Sequence, residues 1–253
     1  MTRTVLVTGA SGGIGAAIAR AFGTAGDRVA VHYSGNKAGA EAVLAELPGD
    51  GHLLVQGDLA DPDAALRIVH TVVDAAGGLD VLVNNAAVGT STDTAHPVPT
   101  VSYADWQRAW RHAVDVNLLG AANISYCAAR HMIDQGRGGR IVNVGSRGAY
   151  RGEPNNAAYG ATKAGLHALG QSLAISLAPH GISVTSVAPG FVSTDRQHET
   201  LTSEQGAAIR AQSPFNRVAE PEEVAAAVVY LASEKAAWTS GAVLDLNGAS
   251  YLR

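Results

Sequence analysis

Two ionisable side chains stand four residues apart in "AAYGATKAGL", residues 157–166, a stretch that is otherwise small and bland. Tyr159 carries a phenol and Lys163 an ammonium, and residues four apart share one face of a helix. A fixed positive charge favours phenolate over phenol, so we expect Lys163 to lower the pKa of Tyr159 from its ordinary value of about 10. The pair predicts a general acid/base that works near neutral pH. In isolation the same spacing also arises by chance.

Two further polar residues belong to segments that bring them toward this pair. Ser146 follows the strand-like run "RIVNVG" (140–145), where its hydroxyl would hydrogen-bond the substrate oxygen that Tyr159 protonates. Asn117 lies in "WRHAVDVNLLGAANI", an otherwise apolar helical segment in which an amide has poor propensity and needs a partner. We predict that both side chains converge with the Tyr159 and Lys163 pair on one catalytic site.

The elements that must position these residues follow from the hydrophobic pattern. Short runs rich in Val, Ile and Leu alternate with alanine-rich segments of helical period, which indicates a parallel sheet covered on both faces. The fold class predicted is α/β, a doubly wound seven-stranded parallel sheet in a single domain over residues 1–253. The longest irregular pieces, 86–103 and 189–201, are where such folds bind ligands. The predicted strands are 4–8, 28–33, 52–57, 80–84, 140–145, 182–188 and 242–246.

A glycine-rich turn joins the first strand to the first helix. It reads "TGASGGIG", residues 8–15. Gly9 would allow a tight turn, Gly13 would let the backbone approach a pyrophosphate, and Gly15 would let helix and strand pack closely. The turn predicts a dinucleotide-binding loop. Its spacing is not G-x-G-x-x-G, so a purely structural turn is the alternative.

The residues after the second strand select the coenzyme. A carboxylate that grips both ribose hydroxyls is expected roughly 20 residues beyond the glycine loop. The segment "HYSGNK" (32–37) contains no acid, and the first one after it is Glu41. Nothing there repels a 2′-phosphate, while Ser34, Asn36 and Lys37 would donate hydrogen bonds or charge to it. NADP is therefore predicted, with NAD as the alternative. For Lys37 itself, an ordinary solvated charge is as good an interpretation as a phosphate contact.

Polar residues also follow the third and fourth strands. Asp58, in "GDLAD", would accept a hydrogen bond from an adenine amino group, or else begin the turn toward a helix entered through residues 61–63. The segment "NNAA" (84–87) places two amides where the sheet ends. We expect these amides to tie neighbouring loops together as well as to form part of the coenzyme wall.

Composition excludes several classes of function. With 47% hydrophobic and 16% charged residues, the 253-residue chain is typical of a compact enzyme rather than a disordered tail. The formal net charge of −4, without a Lys/Arg cluster, predicts small-molecule partners and no nucleic-acid or membrane partner. Cys127 is the only cysteine and the nine histidines lack ligand spacing, so we expect no disulfide and no metal. No apolar run is long enough for a membrane helix or secretion signal, and we expect a soluble, cytoplasmic protein.

Over essentially its whole length, the sequence resembles the short-chain dehydrogenase/reductase family. The interval of 13 residues from Ser146 to Tyr159 also matches that family. The resemblance implies that Tyr159 transfers the proton, that Lys163 lowers its pKa and holds the nicotinamide ribose, and that Ser146 orients the carbonyl. Asn117 would anchor a water relay behind Lys163. The matching motifs, in order, are "TGASGGIG", "GDLAD", "NNAA", Asn117, "IVNVGS", "YGATK", "PG" at 189–190 with Thr194 following, and "NG" at 247–248.

The resemblance also implies which residues hold the coenzyme. Val192 and Thr194 would bind its carboxamide, and Asn85 would flank it. Ala87 stands where the family usually has Gly. Because alanine, unlike glycine, rarely adopts a positive φ, the backbone at residue 87 is required to have a negative φ. Many NADP-using relatives carry Arg or Lys within the glycine loop, where this chain has Ser11 and Gly12. The full implied set is Gly9, Ser11, Gly13, Ile14, Gly15, Tyr33, Ser34, Asn36, Asp58, Leu59, Asn85, Ala86, Tyr159, Lys163, Pro189, Gly190, Val192 and Thr194.

The implied activity is hydride transfer between NADP(H) and a carbonyl or secondary alcohol, as in β-ketoacyl-carrier-protein reductases and related sugar or alcohol dehydrogenases. An NAD-linked sugar or alcohol dehydrogenase and a non-catalytic dinucleotide sensor are the alternatives. Arg147, Tyr150 and Glu153 would border the substrate, and residues 193–217, a loop and short helix, would close over it. Family members commonly form tetramers through helix pairs and the last strand, so we expect a homotetramer.

Overall fold

The computed structural model describes residues 2–253, and a seven-stranded parallel sheet forms its centre. The doubly wound sheet expected from the hydrophobic pattern is confirmed, and each predicted strand agrees with the observed one to within one residue at either end. The strand order is β3-β2-β1-β4-β5-β6-β7, with every neighbouring pair parallel. The strands are β1 (Thr4–Val7), β2 (Arg28–Tyr33), β3 (Leu53–Gln56), β4 (Val81–Asn84), β5 (Gly139–Val144), β6 (Ile182–Pro189) and β7 (Val243–Leu246).

Helices cover both faces of the sheet. A π-helical turn, Asp115–Gly120, joins α4 to α5, and 3₁₀ turns span Ala178–His180 and Glu234–Thr239. Within the described chain no helix is both long and apolar enough to cross a bilayer. The α-helices are α1 (Gly13–Thr24), α2 (Lys37–Glu46), α3 (Ala64–Ala76), α4 (Tyr103–Val114), α5 (Ala121–Gln135), α6 (Gly148–Arg151), α7 (Ala157–Leu177), α8 (Asp195–Thr202), α9 (Glu204–Arg210) and α10 (Pro221–Leu231).

The two faces of the sheet have separate hydrophobic cores, because successive strand residues point to opposite sides. Val5 and Val7 of β1 pack with Phe22 of α1 and with α10, whereas Leu6 packs with Ile124 of α5 and with α3 on the other side. Burial of such branched side chains contributes roughly 1.5–3 kcal/mol each. The central strands are therefore apolar on both faces, as the sequence pattern indicated.

Strand order reverses between β1 and β4, and this point fixes where ligands bind. The chain leaves β1 toward β2 and β3 on one side, and later adds β4 on the other side of β1. Such a reversal opens a crevice beyond the carboxyl ends of the strands. The glycine loop follows β1, Asn85 follows β4 and Ser146 follows β5, so all three reach this edge of the sheet.

Three local expectations are corrected by the structure. Residues 189–201 are not irregular throughout, because α8 begins at Asp195, and residues 193–217 contain two short helices rather than one. The segment around Asn117 is helical, but a π turn interrupts it. At the third crossover, α3 begins at Ala64 after an entry turn in which the Asp61 carboxylate accepts from the Asp63 amide.

Candidate active site

The glycine loop has the conformation that a tight turn requires. Gly9 and Gly13 have φ values of +64° and +53°, in the region that favours glycine. A Cβ on Gly15 would lie 2.3 Å from the Gly9 carbonyl oxygen, so helix α1 approaches the loop too closely for any side chain there. A Cβ on Gly13 would meet the Thr194 methyl group at 3.3 Å, which places Thr194 beside the loop.

A buried histidine that sequence reasoning missed holds this loop in place. The Gly9 amide donates to His32 Nδ1 at 3.1 Å, and His32 Nε2 bonds the Gly57 carbonyl oxygen at 3.0 Å. These partners fix the neutral tautomer with its proton on Nε2. Burial lowers the pKa of His32 to about 4, which keeps the ring neutral at physiological pH. Its only sequence signal was a polar residue inside an apolar strand.

Amides at the end of β4 tie the loops together, as expected. Asn85 Nδ2 donates to the carbonyl oxygens of Thr8 and Gly9 at 2.9 and 3.0 Å. Asn84 lies below, buried, and donates to Ser125 and Asn143. Ala86 packs against the glycine turn, since a Cβ on Gly9 would lie 2.8 Å from its Cα.

Ala87 has the negative φ that the sequence required. In the part of the chain that the structure describes, positive φ at a non-glycine residue occurs only at Asn216 and Ala249.

The residues expected around the adenosine half of the coenzyme also have structural partners. Asn36 caps α2 by accepting from the Gly39 amide at 3.0 Å, and Lys37 pairs with Glu41 at 3.2 Å on the exposed surface of that helix. The Asp58 carboxylate is exposed and accepts from the Ala60 amide, so it does begin a turn. Of the remaining residues in this group, Tyr33 and Leu59 are buried, Ser34 is exposed, and Ser11 and Ile14 lie partly exposed at the glycine loop.

The segment after β6 lies at the same edge of the sheet. Gly190 bonds the Leu246 carbonyl oxygen through its amide, so Pro189 and Gly190 extend the pairing of β6 with β7. Val192 is buried, and its carbonyl oxygen accepts from the Thr194 amide at 2.9 Å. These bonds fix Val192 and Thr194 on the approach to α8.

Asn117 braces the loop that follows β4. Its Oδ1 accepts from the Val88 amide at 2.7 Å, and its Nδ2 donates to the Val88 carbonyl oxygen at 3.1 Å and to Thr162 Oγ1 at 3.2 Å. The residue is buried in the π turn, and such turns occur frequently at functional sites. Asn117 thus connects loop 86–103 to α7, the helix that carries Tyr159.

Ser146, Tyr159 and Lys163 meet at the carboxyl end of β5. Lys163 is buried, and its Nζ donates to the Val144 carbonyl oxygen at 2.7 Å. The same nitrogen lies 5.8 Å from the centroid of the Tyr159 ring. The buried Ser146 hydroxyl accepts from the Gly148 amide at 3.0 Å, which orients the turn between β5 and α6. The convergence expected from the spacing of these residues is present.

The expected direction of the Tyr159 pKa is wrong for the protein itself. Burial raises the pKa of Tyr159, and hydrogen bonding by Ser146 lowers it by less. The charge of Glu153 raises it and that of Arg196 lowers it. The free energy needed to remove a phenolate from water exceeds the stabilisation that these neighbours give it. Burial also lowers the pKa of Lys163, to about 8.

Helix α8 and loop 86–103 meet above the site. A Cβ on Gly89 would lie 2.5 Å from a guanidinium nitrogen of Arg196, and Gln197 Nε2 donates to the Thr90 carbonyl oxygen. Arg196 was missed from the sequence because α8 has no apolar stripe. Its proximity to Gly89 and its charge effect on Tyr159 place it near the site.

The three residues expected to border the substrate divide into two groups. The half-buried Glu153 lies within electrostatic reach of Tyr159. Arg147 and Tyr150 instead contact the carboxyl-terminal segment: Arg147 bonds Ser250, and the Tyr150 ring lies 4.2 Å from the Arg253 guanidinium.

A second histidine without a sequence signal fixes the start of α7. His96 is buried, and its Nε2 accepts from the Ala158 amide at 3.1 Å. Its Nδ1 bonds the Thr94 carbonyl oxygen at 2.8 Å, which fixes the tautomer.

Among residues 2–253, no group of three or more His, Cys, Asp or Glu side chains has the geometry to hold a metal ion.

Known proteins resemble this chain in sequence. A family model described as enoyl-(acyl carrier protein) reductase matches residues 9–248. The 3-oxoacyl-(acyl-carrier-protein) reductase FabG of Staphylococcus aureus is 38% identical, over 100% of this chain and 99% of that protein. The L-rhamnose 1-dehydrogenase (NAD(P)(+)) of Azotobacter vinelandii is also 38% identical, over 99% of this chain and 97% of that protein.

Two solved structures are also similar to this chain. A short chain dehydrogenase from Burkholderia cenocepacia in complex with NADP is 34% identical, with a TM-score of 0.88 over 98% of this chain and 97% of that one. Acetoin dehydrogenase YohF from Salmonella typhimurium is 31% identical, with a TM-score of 0.85 over 98% and 95% of the two chains. With the sheet order, the glycine loop and the Ser146, Tyr159 and Lys163 arrangement, these matches establish that the chain belongs to the short-chain dehydrogenase/reductase family.

Proposed function

We propose that this oxidoreductase transfers hydride between NADP(H) and a carbonyl or secondary alcohol substrate. The observation that carries the proposal is the meeting of Ser146, Tyr159 and Lys163 at the sheet edge that also bears the glycine loop. The loop fits a pyrophosphate, because Gly9 and Gly15 leave no room for side chains and the amides at the start of α1 face the same edge. When bound, the nicotinamide supplies or accepts the hydride.

The side chains then divide the proton chemistry between them. Tyr159 rests as the phenol, because burial raises its pKa, and it is therefore ready to donate a proton to the oxygen of a carbonyl being reduced. Ser146 holds that oxygen by donating a hydrogen bond from its hydroxyl. Lys163 is protonated at pH 7, with a pKa of about 8, and its charge favours the phenolate that Tyr159 becomes.

The proposed coenzyme-binding set is the one implied by family resemblance. NADP is favoured because no acid lies between the end of β2 and Glu41, and because Ser34 is exposed there. A bound 2′-phosphate would compete with Glu41 for Lys37, and breaking an exposed ion pair of this kind costs only about 0–1 kcal/mol. The family neighbour from Burkholderia cenocepacia, which was solved with NADP, supports the same choice.

Two substrate classes have specific support. Similarity to the reductase from Staphylococcus aureus supports a 3-oxoacyl thioester as the substrate. Similarity to the dehydrogenase from Azotobacter vinelandii, at the same identity, supports a sugar such as L-rhamnose, oxidised with NAD or NADP. Steady-state turnover of both substrates with each coenzyme separates these candidates. A chain that binds coenzyme and turns over neither these nor a panel of simple ketones and alcohols would instead be a dinucleotide sensor.

Tyr159→Phe tests the mechanism directly. The variant lacks the transferable proton, so kcat is expected to fall by about 10²–10⁴-fold while the dissociation constant for NADPH stays the same. Tyr230→Phe, an identical change at an exposed position of α10, is the control and should keep wild-type turnover. Full turnover by Tyr159→Phe contradicts the assigned role.

We also propose a homotetramer located in the cytoplasm. Large apolar side chains are exposed on the helices and on the carboxyl-terminal part of the chain that the family uses for assembly, which favours association there. The single cysteine, Cys127, fits a reducing compartment. The exposed residues are Tyr103, Leu119, Tyr126 and Ile175, on α4, the π turn, α5 and α7, together with Leu244 of β7 and Leu252 after it.

A further inference from the structure

A cavity of about 240 Å³ lies next to the site described above but does not belong to it. The segment after β6, helix α9 and the turn after β7 form its walls, and its apolar lining includes Phe191, Ile209 and Leu246. Neither the glycine loop nor Ser146, Tyr159 or Lys163 contributes to that lining. The proposed hydride transfer therefore leaves this cavity without a role.

A buried cation forms one wall of the cavity. Arg147 is 4% exposed, and its guanidinium carbon lies 5.2 Å from the centroid of the Phe191 ring. It donates to Gln212 Oε1 at 2.6 Å through Nη2, and to Ser250 Oγ through Nη1. A guanidinium has five N–H donors, so these two neutral partners leave most of its donors available.

The charge of Arg147 has no close counter-ion in the described chain. None of the ion pairs formed within residues 2–253 includes it. Glu223 also lines the cavity, but Arg217 takes both of its carboxylate oxygens, at 2.6 and 2.7 Å. Glu153 acts on Arg147 only from beyond ion-pair distance. Buried charges are normally paired, so this arrangement is unusual.

A second cation increases the imbalance. Arg151 Nη1 donates to the same Gln212 Oε1 at 2.9 Å, so two guanidinium groups share one neutral oxygen atom. Burial and, by a smaller amount, the charge of Arg151 lower the pKa of Arg147 to about 10. An anion placed beside Arg147 would offset both effects.

We propose that this cavity binds a small organic anion, with its carboxylate on the Arg147 guanidinium and a short apolar chain against Phe191, Ile209 and Leu246. A carboxylate accepts two parallel hydrogen bonds from the planar guanidinium. An inorganic anion has no apolar part and would leave the apolar lining of the cavity without a contact. Arg147 follows Ser146 directly, and its amide bonds the Pro189 carbonyl oxygen at 2.9 Å. The anion site is therefore built on the same segment as the catalytic serine.

Isothermal titration of the full chain at pH 7 tests the proposal, with hexanoate as the probe. Hexanoate should bind, and 1-hexanol, which has the same chain length without charge, should bind roughly tenfold more weakly or worse. Sodium sulfate should also bind more weakly, because it lacks the apolar chain. No detectable hexanoate binding, or equal affinity for hexanol or sulfate, overturns the proposal.

Two variants locate the bound probe. Arg147→Gln removes the charge, and Val218→Trp enlarges a side chain of the cavity lining without changing any charge. Each should weaken hexanoate binding by roughly tenfold or more, whereas Arg67→Gln, on the exposed surface of α3, should leave it unchanged.

Thermal unfolding reports whether each variant is folded. If Arg147→Gln does not fold, the result from Val218→Trp decides. Wild-type hexanoate affinity in the folded variants places the probe elsewhere and overturns the assignment. Coenzyme turnover is not part of this readout, so failure here is distinct from failure of the proposed function.

Discussion

The Lys163 ammonium donates a hydrogen bond of 2.7 Å to the carbonyl oxygen of Val144, and the contact is buried. Val144 ends β5, and Ser146 follows two residues later. The bond therefore sets the distance between the helix that carries Tyr159 and the strand that presents the serine. It also holds a positive charge where burial lowers its pKa to about 8.

Lys163→Met should make the protein more stable and nearly inactive. The folded pKa of Lys163 lies below its ordinary value of 10.5, so protonation favours the unfolded chain, and stability is lost as pH falls from 10.5 through 8. Removing this cost at pH 7, less the lost hydrogen bond, should raise the free energy of unfolding by about 1–2 kcal/mol. We expect kcat to fall by about 10²–10³-fold.

Urea denaturation and steady-state kinetics measure the two effects of Lys163→Met. Lys235→Met, on the exposed 3₁₀ turn, should change neither quantity. A destabilised Lys163→Met protein would show that the bond to Val144 outweighs the cost of burying the charge.

Gly15→Ala and Gly12→Ala should differ sharply in stability, although the two positions are only three apart in the sequence. A Cβ on Gly15 would lie 2.3 Å from the Gly9 carbonyl oxygen and 2.5 Å from Asn85 Nδ2, and a backbone atom cannot move aside cheaply. We expect a loss of about 1–3 kcal/mol in unfolding free energy. Gly12 has extended backbone with open space around it, so its variant should stay within about 0.5 kcal/mol of wild type. Equal denaturation midpoints for the two variants would refute the close approach.

His32 should make stability depend on pH in mildly acidic solution. Its folded pKa of about 4 lies below the ordinary value of 6.5, so its full contribution to stability is present above pH 6.5 and is lost as pH falls toward 4. The loss should reach about 3 kcal/mol at pH 4. In the non-titrating variant His32→Gln this part of the pH dependence should be missing.

Denaturation of both proteins at several pH values measures the difference. The pKa of His167 is also lowered to about 4, but that residue is present in both proteins and its effect cancels. His70→Gln, at an exposed position of α3, should keep the wild-type dependence. Parallel curves for wild type and His32→Gln would rule out the assigned neutral ring.

Ser34→Asp should exchange the coenzyme preference. The Ser34 side chain is exposed after β2, while its carbonyl oxygen accepts from Gln56 Nε2, so the substitution leaves the backbone contact intact. A carboxylate there would repel a 2′-phosphate and grip the ribose hydroxyls of NAD. We expect roughly tenfold weaker NADP binding and tighter NAD binding. Ser34→Asn, which adds bulk without charge, is the control for fluorescence titration, and unchanged NADP affinity in Ser34→Asp would place the 2′-phosphate elsewhere.

The sheet was predictable because its strands are apolar on both faces. Leu6 and Val7 pack into opposite cores, and a run of this kind leaves the sequence few other structures to adopt. Helix α8 was not predictable in the same way. Its eight residues, Asp195–Thr202, include no buried side chain, so no hydrophobic period marks it, and Arg196 was missed with it.

The chemical environment of the site depended on contacts that sequence spacing does not contain. Lys163 was correctly expected beside Tyr159, but the direction of the Tyr159 pKa is decided by burial, which arises only when the sheet and helices assemble. His32 and His96 act through Gly57 and Ala158, partners 25 and 62 residues away. A single histidine gives no pattern from which such partners can be derived.

The π turn at 115–120 sets the rotational phase between two helices. One residue fewer would restore an unbroken α-helical spiral, but it would also rotate α5 by about 100° relative to α4. Ile124 and Met132, now in the core, would swing toward solvent, and Asn117 would lose its hold on Val88. A surface loop would tolerate such a deletion, but this turn does not. The number of residues between α4 and α5 is therefore fixed by the geometry of the catalytic cleft.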